Sequence, residues 1–387
     1  GTPPPCGRAA SRPAAAPAAN SVAVLLFANL AHDTSFAYLS DGLASEIATT
    51  LARVPRLEVR SPGAVRSALR DREPDPQSAG RRLNVRYVVE GDFQRGADRI
   101  RISVRLVTVA NGTQRWSESY TRPASDLLAV QEEIARAVVT AIAGQLLPQE
   151  RSVLATRPTR SAEAYDHFLR GNFDLAQRTP AGVRRGIEEY QAALAVDPSF
   201  TQAEARIALG YALYMDWGWI YPGVSKDSLR VRGFRAADRA LALDSATADG
   251  WMARGYLLIQ GSGAAGSAVD ALERATRLDP GNAEAWHQYG GVLMALGRYD
   301  ESVAASRRAL ALEPGRAITL FQLAIVYRTM RRDDEARLAY DSALVADPTF
   351  AAAYAYRSRL RLGLGDTAGA RADAEDAARF GAAGEPY

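Results

Sequence analysis

Between residues 21 and 148 the apolar positions switch between two periods. "SVAVLLF" (21–27) is a short, unbroken apolar run of the kind buried in a sheet. "SDGLASEIATTLARV" (40–54) then sets Leu43, Ile47, Leu51 and Val54 at helical spacing, with Ser40 or Asp41 as the expected cap. "RLEVRS" (56–61) reads as a second strand. Pro62, pre-set for a first helical turn, opens a short helix through Leu69, and Pro76 to Leu83 forms another. "VRYVVEGDFQRGADRIRISVRLVTVANGTQRWSESYT" (85–121) alternates with period two as three strands, broken at Gly96-Ala97-Asp98 and at the hairpin signal Asn111-Gly112. Leu127 to Leu147 is one long amphipathic helix ending before Pro148. The order predicts an α/β domain over 21–148, a mixed sheet with helices.

After a polar linker (149–160) the pattern becomes all-helical, and a phrase recurs: "AALAVDPSF" (192–200), "RALALDSAT" (239–247), "RATRLDPGN" (274–282), "RALALEPGR" (308–316) and "SALVADPTF" (342–350). Its acidic residues, Asp197, Asp244, Asp279, Glu313 and Asp347, lie 47, 35, 34 and 34 positions apart. A helix-ending Asp-Pro recurs because proline cannot continue a helix. About six two-helix units fit 161–387, forming an all-α solenoid. The second unit is longer by about 13 residues, in "YMDWGWIYPGVSKDSL" (214–229), where Trp217, Trp219 and Tyr221 occupy an expected solvent loop. Aromatics there either anchor a partner, rest in a membrane interface or fold back over the first repeats as a plug. Residues 1–20, nearly all Pro, Ala and Gly, have too little to bury and are expected to be a flexible tether.

Composition narrows the function more than it identifies one. The net charge of +3 comes from 47 basic and 44 acidic side chains, and the arginines are dispersed. No basic block marks a nucleic-acid footprint, so nucleic acid is not an expected partner. The single cysteine, Cys6, allows neither an internal disulfide nor a thiolate metal site. No apolar run approaches the length of a membrane span. The start at Gly1-Thr2-Pro3, without Met, suggests processing or excision from a longer protein.

Candidate chemistry is sparse. "QGSGAAGSAV" (260–269) matches G-x-G-x-x-G at Gly261, Gly263 and Gly266. A dinucleotide site needs a strand before those glycines and a βαβ unit around them. A helix pattern precedes them, so they read as a turn. His32, His167 and His287 are scattered, and no metal-ligand spacing exists. Asp41 and Glu46 form a carboxylate pair on the first helix, for which capping and dipole complementarity are the simpler reading. No cofactor, no metal and no catalytic residue is expected, and the chain reads as a non-enzyme.

Two resemblances sharpen the picture. The 34-residue period is similar to the tetratricopeptide repeat (TPR). The fourth unit supplies Trp286, Gly290, Ser302, Ala309 and Pro314, and the fifth Leu320, Leu323, Ala324, Tyr327, Ala336, Tyr340, Ala343 and Pro348. Such solenoids work through the concave face made by the first helix of each unit. Projecting the repeat onto this chain puts Met252, Tyr256, His287, Met294, Phe321, Ile325 and Arg328 in that groove. They are expected to hold an extended peptide, a partner helix or a membrane-complex subunit, with inter-repeat core as the competing role.

Residues 21–65 resemble the TolB N-terminal-like (FlgO-like) domain of bacterial signalling proteins, through Phe27, Asn29, Tyr38, Ser40, Asp41, Gly42, Leu43, Glu46 and Leu51, and the three-strand stretch 85–120 fits the same family's second half, so the resemblance spans the 21–148 domain. Leu26 stands where that family has proline. The resemblance implies the sensor or scaffold half of a signalling protein, with a kinase, cyclase or DNA-binding output module elsewhere, or a free-standing relative of one. It also implies a periplasmic location, tethered to the inner membrane, with the cytoplasm as the alternative. A small-ligand sensor, with its site at the strand ends near Asn29 to Asp41, is the second functional reading.

Overall fold

Alternate residues of three long strands face one core. A computed structural model describes residues 16–69, 75–96, 98–260 and 264–383. Cys6 and most of the expected tether lie outside them, as do Gly261 and Gly263. The sheet comprises β1 (Ser21–Val24), β2 (Ala28–Asn29), β3 (Glu58–Val59), β4 (Tyr87–Arg95), β5 (Arg99–Thr108) and β6 (Gln114–Pro123). Their order is β3-β1-β4-β5-β6, with β2 also pairing to β4. β1 runs parallel to β3 and β4, whereas β4, β5 and β6 are antiparallel, so the sheet is mixed.

Val22, Val24, Val89, Phe93, Ile102, Val104 and Leu106 bury against helices α1 (Ala37–Ala52) and α4 (Leu127–Ala143). Their neighbours in register, Ala23, Leu25 and Val88, turn to the other face. There α2 (Pro62–Leu69) and α3 (Pro76–Arg82) cover them with Ala64, Val65, Ala79 and Leu83. The exposed positions of β5 alternate with its buried ones, the pattern of a strand covered on one side.

Three expectations need correction. Helix α1 starts at Ala37, after a 3-10 turn capped by Asp33, so Ser40 and Asp41 lie inside it and cap nothing. Asp41 instead pairs with Arg66 of α2 at 2.7 Å. Helix α4 stops at Ala143 rather than Leu147, because Gly144 takes a left-handed backbone (φ 79°) that a side chain would resist. The linker contains a helix, α5 (Pro148–Leu154), held by Glu150, which receives Arg56 Nε and Nη2, each at 2.6 Å.

Twelve helices follow among the described residues, paired as six units. They are α6 (Ala162–Ala176) with α7 (Pro180–Val196), α8 (Thr201–Asp216) with α9 (Lys226–Leu243), and α10 (Ala248–Ile259) with α11 (Ala265–Leu278). Then come α12 (Ala283–Ala295) with α13 (Tyr299–Leu312), α14 (Ala317–Thr329) with α15 (Asp333–Ala346), and α16 (Ala351–Gly363) with α17 (Thr367–Ala383). The recurring aspartate has a local cause. After each helix it turns extended and its Oδ1 accepts the backbone N–H two residues on: Ser199, Ala246, Gly281 or Thr349. This reverses the chain before the next unit. Small residues let paired helices cross closely. A Cβ at Gly171 would sit 2.5 Å from the Tyr190 ring, and one at Gly255 would sit 2.6 Å from Leu272. Gly266 is helical, within α11, rather than part of the expected turn.

The two regions share one continuous core. Helix α1 lies on α6, with Gly42 against Leu169, and buried residues run from Val22 through Phe168 and Leu209 to Leu257. The fold is a small N-terminal mixed sheet followed by a TPR-like solenoid.

Candidate protein-binding groove

The first helices of the third, fourth and fifth units, α10, α12 and α14, carry the seven expected groove residues. Met252 and Tyr256 are buried in the main core. The Tyr256 hydroxyl donates to Asp216 Oδ2 at 2.7 Å, and burial next to that carboxylate pushes the phenol well up. His287 is also buried, its Nδ1 3.2 Å from Thr319 Oγ1. Burial, and then the Arg316 guanidinium, depress the imidazole to about 3, so it is neutral near pH 7. These three offer no free surface.

A chain of charges closes this part of the hollow. Glu284, at the start of α12, accepts from Arg178 Nη2 at 2.8 Å, from Gln288 Nε2 at 2.9 Å and from Arg316 Nη2. Burial opposes its charge, but Arg316 and Arg178 outweigh that and hold the carboxyl well below its usual range. Arg316 also pairs with Glu313 at 2.9 Å, and Glu313 accepts from Ser61 Oγ of the N-terminal domain at 2.8 Å. Gly63, opening α2, faces the Glu313 carboxylate so closely that any side chain there would displace it. The series Arg178–Glu284–Arg316–Glu313–Ser61 therefore joins the first, fourth and fifth units to the sheet domain. The projection of the repeat did not single out these residues. Glu284 and Arg316 mark the starts of neighbouring helices, but nothing in the chain pairs either with Arg178.

Beyond the closure the face is open. Met294, Phe321, Ile325 and Arg328 are only partly buried, and Leu362 on α16 is 61% exposed. Phe321, Ile325 and Arg328 recur at four- and three-residue steps, hence on one face of α14. Phe321 packs edge-on to Tyr356 of α16, ring centres 5.1 Å apart, which makes the two helices one surface. Arg359 lies over the Tyr356 ring at 5.2 Å. Among the described residues neither Arg328 nor Arg359 pairs with a carboxylate, whereas most arginines of the solenoid do.

The aromatic insertion turns back on its own unit. Trp219 meets Tyr214 edge-on at 5.6 Å, Tyr221 sits 4.9 Å from Tyr214, and Trp217 and Trp219 lie 5.6 Å apart. All three are half-buried against the core, while Ile220 between them is 87% exposed. At the strand ends, Asn29 Nδ2 donates to the Asp33 carbonyl. Nearby, Tyr38 donates to Asp166 of α6 and receives Arg95 Nη1 at 2.9 Å. Burial and that carboxylate push the Tyr38 phenol up to about 12. This cluster fastens the sheet domain to the first unit. His167 pairs with Glu189 at 2.6 Å within the first unit. Among the described residues, no group of three or more His, Cys, Asp and Glu side chains is placed to hold a metal ion, and no helix is long and apolar enough to cross a membrane.

Comparison with known proteins agrees with this architecture. The tetratricopeptide repeat family matches residues 282–349. Over 201 residues the chain is 32% identical to a protein of Rhizobium meliloti (strain 1021) described as "Putative adenylate cyclase 3". The match covers 52% of this chain and 34% of that protein, so the chain spans about a third of the relative's length. Among solved structures, TTC0263, a thermophilic TPR protein of Thermus thermophilus, is 22% identical over 51% of this chain and 99% of its own, with a TM-score of 0.43. Pseudomonas aeruginosa pilF is 18% identical over 57% of this chain and 97% of its own, with a TM-score of 0.42. The family match thus marks residues 282–349 as tetratricopeptide repeat, and the helix pairs before and after them repeat the same two-helix arrangement.

Proposed function

We propose that this chain is a non-enzymatic interaction module that captures a polypeptide on the open concave surface of its fourth to sixth units. The supporting observation is the contrast along the groove. Its first part is consumed by internal ion pairs and by the sheet domain, whereas α14 and α16 present apolar side chains with Arg328 and Arg359, which among the described residues pair with no carboxylate. Apolar anchors beside flexible cations suit an extended peptide or a partner helix. The TolB-like resemblance adds a setting: a sensor or scaffold half, periplasmic and part of a membrane complex, with the cytoplasm as the alternative.

The relative described as an adenylate cyclase is about three times as long as the stretch it shares. We place the shared stretch in the regulatory or scaffolding portion of such a protein. The purified chain should then form no cyclic nucleotide from ATP, and turnover that disappears on replacing Asp41 would overturn the non-enzymatic reading. For the groove, the test is capture from a membrane fraction by the immobilised chain, identified by mass spectrometry. Capture should be lost in Ile325→Glu with Arg328→Glu while the helical circular dichroism persists, and undiminished capture would rule this surface out. The small-ligand sensor remains a second reading, favoured by a polar cavity between the two regions.

A further inference from the structure

A cavity of about 100 Å³ lies where the sheet domain meets the solenoid, between α1, α4, α6, α8 and α10. Its polar wall is drawn from both regions: Glu46 on α1 and Arg53 just after it, Gln131 on α4, Arg206 on α8 and Asp249 on α10. Several hydrogen-bonding groups in it are unmet. Gln131 is 5% exposed, and its Oε1 accepts from Tyr165 Oη at 2.6 Å, yet among the described residues its Nε2 has no partner. Arg206 Nη2 pairs with Asp249 Oδ2 at 3.2 Å, but among the described residues its buried Nε has no partner. Among the described residues Glu46 makes no hydrogen bond and Arg53 pairs with no carboxylate. Buried donors are almost always satisfied in native proteins, by protein, water or ligand.

We propose that this cavity binds a small zwitterion, an α-amino acid of the size of alanine or serine. Its carboxylate accepts from Gln131 Nε2 and Arg206 Nε with Arg53 nearby, and its ammonium donates to Glu46. Charge balance favours a dipolar ligand over a simple ion. The lining holds three acids, Glu46, Glu132 and Asp249, against three arginines, Arg53, Arg157 and Arg206. A net charge gains little from such a wall, whereas a molecule with both signs can match its two sides. The volume suits a few heavy atoms, since one water needs roughly 10–15 Å³ of such space. Leu128 and Leu154 on the wall offer room for a methyl group. The site lies near the C-terminal half of α1, away from the strand ends, and its occupant would tie α1 and α4 to α8 and α10. Burial pushes the Glu46 carboxyl up to about 7, with Arg206 and Arg53 partly opposing and Asp249 and Asp41 adding to the rise. Binding should therefore tighten as the pH rises through 7 and Glu46 ionises.

The test is titration calorimetry on the full chain with L-alanine and L-serine, and with acetate and methylamine as the two halves of the ligand. The expected result is saturable heat with an amino acid and at least tenfold weaker binding of either half. Gln131→Leu should weaken binding at least tenfold while the circular dichroism is kept. If that variant does not fold, the unpaired Arg53, replaced by Gln, should give a comparable loss. Glu46→Gln should flatten the pH dependence. No saturable heat at millimolar amino acid would overturn the proposal and leave a water-filled cavity. Acetate or methylamine binding as tightly as the amino acid, or variants that bind unchanged, would overturn it equally.

Discussion

Arg178, in the turn after the first helix of the solenoid, donates to Glu284 at 2.8 Å across 106 residues of chain. This contact brings the first unit to the fourth, and Arg316 continues the connection to the fifth. A repeat array held only by neighbour contacts would unfold piecemeal. Contacts that skip two units make the first five behave more nearly as one body.

The partners in that contact should not matter equally. Arg178 is 38% exposed, so Arg178→Ala loses a screened pair and should cost under ~1 kcal/mol. Glu284 is 14% exposed, and its removal leaves Arg316 buried with Glu313 alone. Glu284→Ala should therefore cost about 2 kcal/mol, because a buried arginine loses one of its two carboxylates and leaves donors unsatisfied. Urea denaturation of both variants checks the order, and equal losses would mean the closure is superficial.

The pH dependence follows from two groups with opposite slopes. Glu46 binds its proton more tightly folded, at about 7, than unfolded, near 4.5, so its contribution is intact below 4.5 and lost as pH rises through 7. His287, depressed to about 3, takes a proton in the unfolded chain below 6.5 but not in the folded one, so falling pH costs stability from there downward. Glu46→Gln removes the first slope alone. Relative to wild type it should gain stability between pH 4.5 and 7 and level off above that. Parallel melting curves across that range would show that Glu46 is freely solvated.

At the helix crossing of the first unit, Gly171→Ala should destabilise by ~1–3 kcal/mol, because the new methyl meets the fully buried Tyr190 ring rather than a side-chain tip that can swing away. The matching change at Gly363, where an added Cβ would touch no other part of the described chain, should stabilise slightly through better helix propensity. Thermal melts of the pair separate a crossing requirement from a general intolerance of alanine.

The fold was legible because its signals are local. The recurring Asp-Pro marks a turn that its own side chain makes, and Pro62, pre-set for a first helical turn, predicted α2 at the residues where it forms. The site was only half legible. Periodicity places a residue on a helix face but cannot say what covers that face. Met252 and Phe321 occupy equivalent repeat positions, yet one is buried and the other half open. The difference comes from pairings 106 and 252 residues apart, Arg178 with Glu284 and Ser61 with Glu313, which leave no mark in a single sequence. Glu46 was misjudged for a related reason: its helix begins upstream at Ala37, so it lies mid-helix, facing the solenoid across the domain junction.

That distinction decides how the groove should be probed. Removing Tyr256 would delete a buried ring and leave Asp216 without its hydroxyl donor, so Tyr256→Ala should cost about 3 kcal/mol and confuse folding with binding. Ile325 and Arg328 are partly exposed and hold no ion pair among the described residues, so Ile325→Glu and Arg328→Glu should each change stability by only about 0.5 kcal/mol. If the open face captures a partner, these two reduce capture more than tenfold at unchanged melting temperature. Met252→Leu, inside the closed part and similar in volume, leaves capture intact. Loss of capture in Met252→Leu with none in Ile325→Glu would move the binding surface away from the fifth unit and into the interior the charges now close.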